Sequence, residues 1–170
     1  MHKAFRWLSA FIVLMTTFTV PAFADAPAAA PAPLVAYSDG LQPGWFIGGW
    51  SKYTAPSPLG DQQPVQVTMD AWNGLTFQSN SPQSLDGYTT LTIVVNGGDK
   101  GNQEFKLSFK LGDKVISQEA DILCPKGQWV RFDLPLKKLH LTGNSFDTIF
   151  LVNKSGDKMP PYYINYVLLQ

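Results

Sequence analysis

Residues 104–111 read EFKLSFKL, a strict alternation of polar and apolar side chains. In an extended chain it sets Phe105, Leu107, Phe109 and Leu111 on one face and Glu104, Lys106, Ser108 and Lys110 on the other. A period of two belongs to a strand with one buried face, because a helix cannot gather such residues into one stripe. The alternation recurs. PVQVTMD carries Val65, Val67 and Met69, and TTLTIVVN sets Leu91, Ile93 and Val95 against Thr90, Thr92 and Asn96. WVRFDL sets Val130, Phe132 and Leu134 against Trp129, Arg131 and Asp133. FDTIFLVN and YYINYVLL are more evenly apolar, which predicts strands covered on both faces or central in a sheet.

Turn chemistry falls between these runs, at Asn73-Gly74, Asp86-Gly87, NGGDKGNQ and SGDKMPP. Gly112-Asp113 predicts a two-residue hairpin loop of type II′. Closed there, the hairpin sets Lys106 opposite Glu119. No window of helical length shows a 3.6-residue period, and PLKKL at 135–139 has room for a single helical turn. The prediction is an all-β fold: a two-sheet antiparallel β-sandwich (jelly roll) of about nine or ten strands.

The chain's start has a different composition. A basic beginning, an apolar run from Leu8 to about Val20 and Ala22-Phe23-Ala24 have the layout of a secretory signal peptide, residues 1–24. The run is short for a membrane span, which needs about 20 apolar residues, so no span is expected in the mature chain. Residues 25–33, DAPAAAPAP, read as a stiff Ala/Pro linker, and 34–170 as one domain. The expected location is secreted: extracellular, or periplasmic in a bacterium. Without the leader, eleven Lys or Arg face thirteen Asp or Glu, a balance that lacks the basic footprint of a nucleic-acid partner. Cys124 is the only cysteine, so no internal disulfide forms and a buried, inert thiol is expected. Asn153-Lys154-Ser155 is a glycosylation sequon if the source is eukaryotic.

Side chains for catalysis are scarce. His140 is the only histidine beyond the leader, Glu occurs only at 104 and 119, and there is no G-x-S-x-G elbow. Asp39, Asp86, Asp99, Asp113 and Asp157 each stand beside a glycine or within a turn signal, where aspartate bonds its own backbone. The unusual feature is aromatic. GWFIGGWSKYT at 44–54, followed by Trp72, places Trp45, Trp50, Tyr53 and Trp72 near glycines and amides. Such rings either close the core or form an apolar platform for a ligand with ring faces of its own. Sugars have such faces, with hydroxyls suited to amide and carboxylate partners.

The succession VAYSDGLQPGWFIGGWS, DAWNGLTFQSNSPQSLDGYTTLTIVVNGG, QWVRFDLPLKKL, FDTIFLVNKSG and YYINYVLL resembles the strand order of β-jelly-roll carbohydrate-binding modules, the galactose-binding-like sandwiches. The resemblance covers nearly all of residues 35–169. It implies a glycan surface of aromatic and amide side chains, no required cofactor, and often a structural calcium between the first and last strands. Asp39 matches the early acidic position of that calcium site. The late position, often Asp in such modules, is Asn165 here.

The expected function is therefore non-catalytic binding of a polysaccharide or glycoconjugate. Trp50, Tyr53 and Trp72 are the stacking candidates, and Asp70, Gln78 and Asn96 the hydrogen-bonding ones. Two other classes fit the sequence: a structural or protein-binding sandwich of the cell envelope with no sugar site, and a small glycan lyase or hydrolase.

Overall fold

The computed structural model describes residues 30–170. The expected signal peptide and most of the Ala/Pro linker lie outside the described residues. In chain order the strands are β1 (Leu34–Ser38), β2 (Trp45–Gly49), β3 (Lys52–Thr54), β4 (Val65–Thr68), β5 (Gly74–Ser84) and β6 (Thr90–Asn96). They continue as β7 (Gln103–Leu111), β8 (Lys114–Val115), β9 (Ala120–Cys124), β10 (Trp129–Pro135), β11 (Ser145–Val152) and β12 (Tyr162–Leu169). Among the described residues twelve strands stand where nine or ten are expected, and the sequence reading passes over short ones such as β3. PLKKL forms the anticipated turn, a 3₁₀ helix at Leu136–Leu139.

Two six-stranded sheets stack face to face, and every pairing is antiparallel. One runs β10-β6-β12-β4-β3, with β1 also on β12. The other runs β2-β5-β11-β7-β8, with β9 also on β7. The evenly apolar segments become β11 and β12, flanked on both sides as their composition requires. The alternating residues meet between the sheets: Val65, Val67, Leu91, Ile93, Val95, Leu107 and Phe109 are fully buried. Phe109 meets Phe146 edge-on at 4.9 Å, and Phe105 stacks on Tyr162 at 5.3 Å.

The β7–β8 hairpin closes at Gly112-Asp113, with Leu111 opposite Lys114 and a φ of +58° at Gly112 alone of the two. That is the type II′ pattern. Farther along, the register departs from expectation. Lys106 lies opposite Asp121 and pairs with it, and not with Glu119. Residues 116–119 leave the ladder to bury Ile116 and bond Leu139 and Thr142, which shifts the partner by two. Glu119 pairs instead with Lys154.

Candidate functional site

The aromatic stretch divides between core and surface. Trp45 opens β2 facing inward, 8% exposed, with its ring 6.1 Å from Phe146. Trp50 and Trp72 are 75% and 66% exposed. They stand on neighbouring loops, tied together by backbone: the amides of Trp50 and Ser51 both donate to the Gly74 carbonyl, and Asn73 Nδ2 donates to the Trp50 carbonyl at 3.1 Å. Trp72 occupies the third position of a turn closed by Asn73 N–H to Asp70 O, with a φ of +63°. A positive φ at that position is ordinarily filled by glycine. For a bulky side chain it is strained.

Behind the two rings, β2 and β5 run side by side on an edge of their sheet. Phe46 pairs with Gln78, Gly48 with Thr76 and Gly49 with Leu75. Leu75 and Phe77 point into the core, so Gly74, Thr76 and Gln78 face outward by alternation. A Cβ on Gly74 would come within 2.4 Å of the Phe150 ring, which lies on this outer face with Lys110 Nζ 5.4 Å from its centroid. The face thus carries Phe46 at one end, Trp50 and Trp72 at the other, and glycines, Thr76 and Gln78 between. At about 3.3 Å per residue, Phe46 and Trp50 stand up to about 13 Å apart.

Tyr53 sits around the corner, on β3 of the other sheet. It is partly exposed, and its hydroxyl donates to the Ile47 carbonyl at 3.2 Å, which joins the two sheet edges. With Leu41, Phe46 and Pro56 it lines a cleft of about 320 Å³. Phe46 belongs to both surfaces, so cleft and platform are continuous.

The polar candidates separate too. Gln78 is on the platform. Asp70 lies at the base of the Trp72 turn, with its carboxylate 3.2 Å from Lys158 Nζ and its carbonyl held by Asn153 Nδ2. Asn96 does not join the cluster. It is buried in the opposite sheet, where its Oδ1 accepts the Gly98 amide at 2.8 Å. The bond caps the turn that Gly97-Gly98 begins, and an Asn before two glycines serves such a turn. Asn153, the sequon residue, is likewise fully buried; its amide donates to the Asp70 and Asp157 carbonyls. Sequence reasoning misses Phe46, Thr76 and Phe150. The outward parity that Phe46 shares with Gly48 is its only sequence signal.

Asp39 and Asn165 do come together. Asp39 accepts the Gln63 amide at 3.0 Å and the Tyr166 hydroxyl at 3.1 Å. The Gln63 backbone bond, with help from Asn165 and Tyr166 and against some desolvation, holds its carboxyl below the usual carboxylate range. Asn165 sits where β12 shifts register, fully buried, and directs Nδ2 to Gln62 Oε1 at 2.9 Å. Its Oδ1 is buried without a partner. Calcium needs six to eight oxygen ligands, usually with several carboxylates. Here the side chains brought together are one carboxylate, two amides and a phenol, already bonded to one another. These residues do not fit a calcium ion; they form a hydrogen-bonded pin between the end of β1 and the middle of β12. Among the described residues no three His, Cys, Asp or Glu are grouped to hold a metal, and no helix is long and apolar enough to cross a membrane.

No protein-family model and no curated protein sequence matches the chain. Solved structures do. One is a variant of the family 29 carbohydrate-binding module CBM29-2: TM-score 0.60 and 16% identity over 82% of this chain and 92% of that one. A second CBM29-2 variant, solved with cellulohexaose, gives 0.58 and 14% over 81% and 89%. A third, solved with mannohexaose, gives 0.58 and 15% over 81% and 90%. The chain shares the β-sandwich fold of the family 29 carbohydrate-binding modules.

Proposed function

We propose that the chain is a non-catalytic carbohydrate-binding protein whose glycan lies along the outer face of β2 and β5. The exposed pair Trp50 and Trp72 carries this reading. Two large rings stand in solvent on adjoining loops, and one is held at a backbone angle that tryptophan disfavours. Neither contributes to the core that burial of the other aromatics builds. Strain kept at a surface residue is a signature of a binding position. Indole faces suit the C–H faces of pyranose rings, and Gln78 supplies an amide for hydroxyls. The likeness to modules solved with cellulohexaose and mannohexaose supports glycan as the ligand class. The leader-like start supports export to where polysaccharides are met.

Retention on insoluble cellulose and mannan, and titration with soluble cellohexaose and mannohexaose, test this reading directly. The parent should bind at least one of them. Trp50→Ala should weaken that binding by about 1–3 kcal/mol, the scale of a hot-spot ring, with an unchanged melting temperature. A parent that binds neither polymer nor hexaose overturns the proposal.

A further inference from the structure

Gly48 is the residue with least side chain on the outer face of β2, between Phe46 and Trp50. What surrounds the gap is polar. A Cβ built on Gly48 would stand 3.0 Å from Thr76 Oγ1 and 3.2 Å from Gln78 Oε1. Two oxygens from successive outward positions of β5 therefore converge on one small space. Thr76 is 6% exposed and its hydroxyl is buried with no hydrogen-bond partner. Such groups are uncommon in folded proteins and call for a partner.

We propose that this gap is a hydroxyl-reading notch and that Gly48, Thr76 and Gln78 set the site's specificity for one ring hydroxyl of the glycan. The inference rests on the glycan reading above and deepens it. The chemistry suits a group that both accepts and donates, as a sugar hydroxyl does. Thr76 O–H can donate to a sugar oxygen while that oxygen's own proton goes to Gln78 Oε1. The tryptophans grip ring faces, which most sugars share, whereas the notch distinguishes the direction of one hydroxyl. A site built around unpaired polar groups rejects analogues that leave them unpaired. Gln78 Oε1 borders the same space, so its flexible side chain shifts to admit the hydroxyl to Thr76 and then accepts that hydroxyl's proton. A methyl group at 48 would fill the notch. Its φ is not in the positive range, so alanine meets no backbone strain there.

The test compares the full-length parent with Gly48→Ala, Thr76→Val, Thr76→Ser and Trp50→Ala, titrated with cellohexaose and mannohexaose, each with a melting curve. Thr76→Val replaces the hydroxyl with a methyl group of similar size, and Thr76→Ser keeps the hydroxyl. Loss of one hydrogen bond predicts about a three- to tenfold weaker affinity for Thr76→Val on the preferred hexaose. The preference between the two sugars should narrow, and Thr76→Ser should stay within about twofold of the parent. Gly48→Ala should lose at least as much as Thr76→Val. If Gly48→Ala fails to fold, the two Thr76 variants decide the matter alone. Thr76→Val binding both sugars like the parent, while Trp50→Ala loses binding, overturns the notch and leaves the platform standing. A parent that binds neither hexaose overturns both.

Discussion

Trp72 holds a backbone angle that costs the fold stability, and under the proposed function that cost serves binding. Its φ of +63° sits at a turn position that glycine fills without strain. Trp72→Gly should therefore leave the melting temperature unchanged or raise it, by about 1 kcal/mol of stability, while glycan retention falls. A core tryptophan behaves oppositely: Trp45→Ala should cost about 3–5 kcal/mol. Thermal melts of the two variants check this pair, and a Trp72→Gly protein that melts well below the parent would sink the account of strain. The residue scale is also where sequence reading reaches its limit. Composition flags Trp45 and Trp50 equally, because both follow a glycine. Their separation depends on where β2 meets β5, a long-range contact that composition does not carry. Asn96 was ambiguous for a related reason, since a polar residue on a strand's outward face suits a ligand or a turn equally well.

At the scale of elements, the pin between β1 and β12 is held by two amides, a carboxylate and a phenol. Asp39, Gln62, Asn165 and Tyr166 are bonded to one another, with only Asn165 Oδ1 left over, and they hold one carboxylate between them, so a chelator should not move the parent's melting temperature. Asn165→Asp would bury a second carboxylate, fully enclosed, close to Asp39. The uncompensated charge should cost about 3–5 kcal/mol, and added calcium should return part of it by binding the native state. A parent that melts earlier in chelator would show that the pin holds a metal after all. The same group sets an acid response. The folded carboxyl of Asp39 titrates below its unfolded value, so its contribution is complete above the ordinary carboxylate range. It is lost as pH falls through the folded pKa. Melting temperatures measured from pH 7 to pH 3 should fall less steeply for Asp39→Asn than for the parent. The strands themselves were legible from period two, because alternation and burial share one cause. The register of β7 on β9 was not, since residues 116–119 leave the ladder for contacts with the segment around Leu139, which pairwise alternation cannot anticipate.

For the whole molecule, the relevant question is whether the two sheets and their edges unfold as one unit. A single buried cluster runs from Tyr37 and Trp45 through Leu75 and Phe109 to Ile122, Cys124 and Tyr162, drawing on both sheets. Nothing in it divides the sandwich, which predicts a two-state transition. Cys124 and Trp45 provide independent probes at distant places in that cluster. Burial pushes the Cys124 thiol up to about 12, so little thiolate exists at neutral pH and a disulfide reagent has no access. Trp45 is enclosed and Trp129 partly buried, while Trp50 and Trp72 already stand in solvent, so the fluorescence change on unfolding should come mainly from Trp45, with a share from Trp129. In a urea titration the midpoint of thiol labelling should coincide with the fluorescence midpoint, and native protein should stay unlabelled. Cys124 lies on β9, which pairs only with β7 among the described strands. It is therefore a place where a partial opening at that end of the sheet would show. Labelling that runs ahead of the Trp45 signal would mean that this edge detaches before the sandwich opens. Coincident curves would mean that the platform-bearing edge, β2 and β5, is held by the same cooperative core as the strands farthest from it.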